Sequence, residues 1–200
     1  MMIPRPFFAS RPTNSRLPAL IGVWLIRAAW SVGQLLPVTA AAGAGPPSGT
    51  PSVLLANYSA GLNKKFPDVP VIRTEELPTL SPFPILLDVR NPDEFDVSRI
   101  PGARLAGGDI VGELKKEGVG PETGIVVYCS VGYRSAQVAR KLAAAGYLHV
   151  RNLEGSIFQW ANEGRPLVND SGPTTGVHPF NEKWGRLLDS DRWAWKARNP

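Results

Sequence analysis

Acidic residues are missing from the first third of this 200-residue chain, and cysteine occurs at one position only. Residues 1–67 hold six basic side chains, Arg5, Arg11, Arg16, Arg27, Lys64 and Lys65, and no Asp or Glu. The remainder carries 16 basic and 17 acidic residues, so the formal net charge of +5 belongs to the leader and the body is close to neutral. A nucleic-acid partner needs a basic stripe on the folded body, and the sequence shows none, so nucleic acid is not an expected partner. The single cysteine, Cys129, excludes an intramolecular disulfide and any reaction in which a second thiol resolves the first. With His149 and His178 as the only histidines it is a poor zinc set, because closed sites usually take four N/S ligands, and no metal is expected. A lone cysteine says nothing about redox compartment.

The hydrophobic share of 43% is enough for a real core, and the length suits one domain with extensions. Residues 1–45 stand apart. A basic, Pro/Ser-rich start leads into an apolar tract, Leu17 to Ala44, that ends in small residues with an Ala42-x-Ala44 pair. Three readings stay open: an export signal with a small-residue cleavage site, an acid-free organellar transit peptide, or a membrane anchor. Arg27 inside the tract counts against the anchor, because a charge within a span is costly. The expected location is therefore exported, periplasmic or organellar, with membrane contact confined to residues 17–44. Gly45 to Pro51 (GPPSGTP) reads as a linker, and Ser52 to Phe66 as a short amphipathic helix, so residues 46–70 are taken as linker and helix.

The body, residues 71–168, alternates apolar runs with helical patterns. Ile85–Val89 and Ile125–Cys129 are continuous apolar runs, His149–Leu153 is a weaker one, and Val71-Ile72 is a fourth. Between them lie helical segments at Asp109–Lys116 and Ser135–Ala145, the second placing Val138, Leu142 and Ala145 on one face with Gly146 as its stop. Ser156–Asn162 is a further short helix with Phe158 or Trp160 facing inward. Strands apolar on both faces, alternating with helices, imply an α/β fold with a covered parallel sheet. Residues 169–200 form a tail rich in aromatics (Phe180, Trp184, Trp193, Trp195) without a clear period.

Cys129 ends the strongest strand, and Ser130, Val131, Gly132, Tyr133 and Arg134 lead to a helix that Ser135 is placed to cap. In a parallel sheet, ligands bind beyond the carboxyl ends of the strands. A tight loop there turns successive backbone N–H groups inward beside a helix N-terminus and attracts anions, thiolates included. Gly132 gives the loop its freedom, and Arg134 adds a cation able to hold an oxyanion. Free cysteine is otherwise most often a small buried hydrophobe, and Arg134 alone would more often be a surface residue; position, glycine and arginine together point to a reactive Cys129.

At these residues the sequence resembles the rhodanese family. CSVGYRS (Cys129–Ser135) is similar to its active loop, C-x-x-G-x-R-S. LLDVRNPDEF (Leu86–Phe95) resembles D-V-R-x-x-x-E-[FY]. SRIPGA (Ser98–Ala103) resembles G-H-I-P-G-A with Arg99 in place of histidine. NLEGSIFQW (Asn152–Trp160) resembles L-x-G-G-x-x-x-W with Ser156 replacing the second glycine. The resemblance implies a three-layer sandwich: a central parallel sheet of about five strands with helices on both faces. It implies sulfur transfer without a cofactor, in which Cys129 carries a persulfide taken from a small anionic donor such as thiosulfate and passes it to a thiol, a protein acceptor or cyanide. Residues 130–135 would cradle the persulfide, Arg134 would orient the donor, and Asp88, Arg90 and Glu94 would be mainly structural. Two alternatives remain. One is a non-catalytic binding or sulfur-sensing module on the same fold. The other is a cysteine phosphatase or arsenate reductase, whose loops follow C-x5-R, whereas four residues separate Cys129 from Arg134 here.

Overall fold

The computed structural model describes residues 49–197, so the leader read over residues 1–45 lies outside the described residues. In chain order the elements are helix α1 (Pro51–Lys65), strand β1 (Val71–Ile72), β2 (Ile85–Asp88), α2 (Pro92–Val97), β3 (Arg104–Leu105), α3 (Ile110–Lys116), β4 (Ile125–Tyr128), α4 (Tyr133–Ala144), β5 (Val150–Leu153), α5 (Ser156–Asn162), a hairpin of β6 (Leu167–Asn169) and β7 (Gly172–Thr174), and α6 (Glu182–Gly185). Five strands make one sheet in the order β1-β5-β4-β2-β3, every pairing parallel. This is the expected α/β sandwich.

Strand alternation explains the layers. In β4, Val126 and Tyr128 face one core cluster while Ile125 and Val127 face the other. The first cluster takes Ile157, Phe158 and Trp160 of α5, and the second takes α3 and α4 through Ile110, Leu114, Ala136, Ala139 and Leu142. A strand buried on both faces cannot afford polar positions, which is why the sequence is apolar throughout there.

Helix α4 packs chiefly on Ser135, Ala136, Ala139 and Leu142; of the expected Val138/Leu142/Ala145 face, Leu142 is fully buried. Small side chains let the helix sit close to the sheet, and Val138 and Ala145 flank the contact half-buried.

The folded body extends on both sides of residues 71–168. Helix α1 buries Leu55 in one cluster and Leu62 in the other. Burying two such side chains fully contributes roughly 1.5–3 kcal/mol each. Beyond β5, Val177, Leu188 and Ala194 are buried. Arg99, which replaces a histidine of the resembled motif, bridges to Val168 with paired backbone hydrogen bonds of 2.8 and 3.0 Å, and its side chain pairs with Asp170. The hairpin is thereby tied to the connection between α2 and β3, and the aromatic segment after it reaches the Cys129 pocket through Phe180 and Trp184. Among the described residues no helix is long and apolar enough to cross a membrane.

Candidate active site

Cys129 follows directly on β4, and its side chain is buried. The loop after it is shorter than the sequence pattern implied. Helix α4 begins at Tyr133, with Gly132 at its N-cap in the left-handed region, φ 100°. That backbone state is open to glycine at no steric cost. A Cβ here would also approach Leu62 Cδ2 of α1 to 3.0 Å, so both φ and space favour glycine.

The early helix start corrects the role given to Ser135. It lies inside the first turn, fully buried, and does not cap the helix. Its hydroxyl instead donates to Cys129 Sγ at 3.5 Å, and the Gly132 N–H donates to the same sulfur at 3.2 Å. The sulfur thus sits at the N-terminal end of a 12-residue helix, where the aligned peptide dipoles favour negative charge.

The loop's carbonyls are drawn away from the sulfur. Ile157 and Phe158 N–H groups of α5 donate to the carbonyls of Cys129 and Ser130 at 3.2 and 3.1 Å, and Asn152 Nδ2 donates to that of Gly132 at 3.1 Å. Orphan donors of one helix end therefore hold the loop that feeds another.

Ser156 sets the far side. Its φ of 52° is a left-handed conformation, uncommon for a residue with a Cβ. Its hydroxyl accepts from the Cys129 N–H at 3.2 Å and donates to the Leu153 carbonyl at 3.1 Å. The replacement of glycine by serine thus puts a hydrogen-bonding group directly under the cysteine.

Ser130 and Arg134 turn to the rim. Glu94 of α2 receives both arms of the Arg134 guanidinium at 2.8 Å each, and the Ser130 hydroxyl at 2.9 Å. Arg134 Nη2 also donates to Ser130 Oγ at 2.9 Å. Burial works against charge on Glu94, but the Arg134 fork and the Asn91 N–H outweigh it and hold the carboxyl below its ordinary pKa. Burial likewise works against the Arg134 cation, and its bonds to Glu94 and the nearby Cys129 outweigh that, raising its pKa. The arginine expected to grip a donor is already paired across the rim. Asp88 and Arg90 form a second, fully buried pair, Nη2 to Oδ2 at 2.6 Å, and Arg90 Nη2 also donates to the Ser98 carbonyl at 2.6 Å. They brace the chain between β2 and α2, as expected of structural residues.

Val131, Tyr133, Phe180 and Trp184 complete a pocket of about 200 Å³ over Cys129, Ser130 and Arg134. Tyr133 packs edge-on to Phe66 with ring centroids 5.6 Å apart. Behind Trp184 stands Tyr58 of α1, edge-on at 5.2 Å; burial first, then the proximity of Cys129, raises its phenol pKa and keeps it protonated.

The family model of the rhodanese-like domain matches residues 75–163. A sulfurtransferase of Allochromatium vinosum is 33% identical over 88 residues, covering 44% of this chain and 81% of that protein. The chain belongs to the rhodanese-like family. A probable adenylyltransferase/sulfurtransferase, MoeZ, of Mycobacterium tuberculosis is also 33% identical, over 82 residues; the alignment covers 40% of this chain and 21% of MoeZ, so this chain spans about one fifth of that relative's length. The solution structure of the polysulfide-sulfur transferase homodimer from Wolinella succinogenes aligns at 27% identity and a TM-score of 0.47, covering 58% of this chain and 90% of that one. By the two sequence matches at 33% identity, the rhodanese-like domain here has sulfurtransferases among its relatives. All of residues 129–135, named from the rhodanese loop, fall on the β4–α4 turn and the first turn of α4. Sequence reasoning missed Ser156, Asn152 and Leu62 beneath the loop and Phe180 and Trp184 above it. For Ser156 a signal existed, the break in the second glycine of its motif; the aromatic pair had none.

Proposed function

We propose that this rhodanese domain is a sulfurtransferase of the thiosulfate type, working through a persulfide on Cys129. The observation that carries the reading is the placement of Cys129 Sγ 3.2 Å from the Gly132 N–H at the N-terminus of α4, at the floor of a pocket. In the first step the Cys129 thiolate attacks the outer sulfur of thiosulfate. A Cys129 S–S bond forms, the donor's S–S bond breaks, and sulfite leaves with the electron pair. In the second step cyanide or a thiolate attacks the outer persulfide sulfur, and the Cys129 thiolate departs. The Gly132 N–H and the Ser135 hydroxyl are placed to stabilise negative charge on cysteine sulfur in both steps. The Glu94–Arg134 pair fixes the rim, and no general base is required. A thiosulfate:cyanide assay tests this: wild type forms thiocyanate and Cys129→Ser, still folded, forms none. Full activity in Cys129→Ser would overturn it.

A further inference from the structure

Phe180 is held in an unfavourable backbone state for no evident gain in packing. Its φ is 65°, the residue is 41% exposed, and it is neither glycine nor an Asx residue. A bulky residue with positive φ is a genuine outlier, and such strain concentrates at functional sites. Local bonds maintain the turn: the Phe180 N–H donates to His178 Nδ1 at 3.0 Å, and Asn181 caps α6 by accepting from the Trp184 N–H at 3.0 Å. The result is a ring set over the Arg134 guanidinium, 5.0 Å from it, and lining the Cys129 pocket together with Trp184.

The same arrangement leaves little fixed charge for a dianion. Glu94 neutralises Arg134 from one side and the Phe180 face covers it from another. Lys65, which places its ammonium 4.8 Å from the Tyr133 ring, is an exposed cation engaged with that ring and its hydroxyl. The walls above the sulfur are Val131, Tyr133, Phe180 and Trp184. We propose that Phe180 and Trp184 are specificity-determining residues that form an aromatic slot for the body of the donor, favouring singly charged sulfane donors with a flat apolar body over thiosulfate. This rests on the sulfur-transfer reading through Cys129 and revises its preferred donor, with thiosulfate becoming the poorer one. The step is the same, with balanced atoms and charge: the Cys129 thiolate takes the terminal sulfur of an arenethiosulfonate, and the arenesulfinate leaves with the electron pair.

The test uses the full chain and two probe donors, benzenethiosulfonate and thiosulfate, and reads the ratio of their kcat/KM values. Intact mass reports whether one sulfur atom is gained. Wild type prefers benzenethiosulfonate. Phe180→Asn removes the ring while tolerating the left-handed backbone, so it folds, and its ratio falls by roughly three- to tenfold, the size of an aromatic contact. Phe180→Tyr keeps the wild-type ratio. A wild-type preference for thiosulfate, a fall of less than threefold in Phe180→Asn, or a comparable fall in Phe180→Tyr overturns the proposal alone. Loading by neither donor overturns the sulfur-transfer reading, and this proposal with it.

Discussion

Glu94 and Arg134, 40 residues apart in sequence, meet in a two-armed ion pair at the rim of the Cys129 pocket, with the Glu94 side chain 2% exposed and that of Arg134 30% exposed. The pair links α2 to the first turn of α4 and, through Ser130, braces the turn between β4 and α4. Removing one partner from such a pair leaves an uncompensated buried charge or an idle fork.

Glu94→Gln is expected to lower stability by about 2–3 kcal/mol at neutral pH, somewhat less than for a fully buried pair because Arg134 is partly solvated. Glu94 has a folded pKa below its unfolded value of about 4.3. Its stabilisation is therefore fully present above that value and is lost as pH falls through the folded pKa. Urea denaturation at pH 7 and below pH 4 should show the gap between wild type and Glu94→Gln narrowing in acid. A gap that stays constant with pH would contradict the assignment.

Arg134→Ala should lower kcat/KM for thiosulfate about tenfold, close to 1.4 kcal/mol. The cause is that Glu94 is left as a bare carboxylate facing an anionic donor. The double variant Glu94→Gln, Arg134→Ala should then recover part of the loss. If the double variant is no better than the single one, Arg134 grips the donor directly and the rim pair is not its main role.

Ser156 gives a test of the loop's underside. Ser156→Ala keeps the left-handed backbone and loses the acceptor for the Cys129 N–H, so it should cost about 1–3 kcal/mol in stability. Ser156→Gly relieves the backbone and should be the milder change. Thermal melts of the two variants decide the order. Ala as stable as wild type would show that the Ser156 hydroxyl does not support Cys129.

Residues 1–45 are proposed to act in targeting, because their charge asymmetry has no counterpart in the body. A chain beginning at Pro46 should keep the melting temperature and the transfer rate. A chain beginning at Pro67, which lacks α1 with its buried Leu55 and Leu62, should be grossly destabilised. Loss of transfer in the folded Pro46 chain would show that the leader helps build the site.

The sheet was legible because burial on both faces leaves a direct trace: Ile125 to Tyr128 is apolar at every position. Strand β3, Arg104–Leu105, is a two-residue edge with no period to detect. Helix α2 carried its own start signal, Asn91 with Glu94 three residues on, yet at six residues it was too short to stand out from the turn. At the site, Cys129, Gly132 and Arg134 were legible because they are contiguous. Ser135 was misassigned as a cap because the cap is Gly132, in a left-handed state, three residues earlier than a cap-residue pattern implies. The roof could not be read: Phe180 and Trp184 reach Cys129 only because the β6–β7 hairpin, anchored at Arg99, redirects the chain, and nothing local in the sequence encodes that.

The most direct test of the central claim is intact mass of the full chain after treatment with a sulfane donor, followed by peptide mapping. Wild type should gain one sulfur atom, mapped to Cys129, and lose it on addition of cyanide with release of thiocyanate; Cys129→Ser should gain none. A wild-type chain that stays at its original mass under donor excess, or that carries the added sulfur without ever yielding it to cyanide or a thiol, would contradict transfer through Cys129.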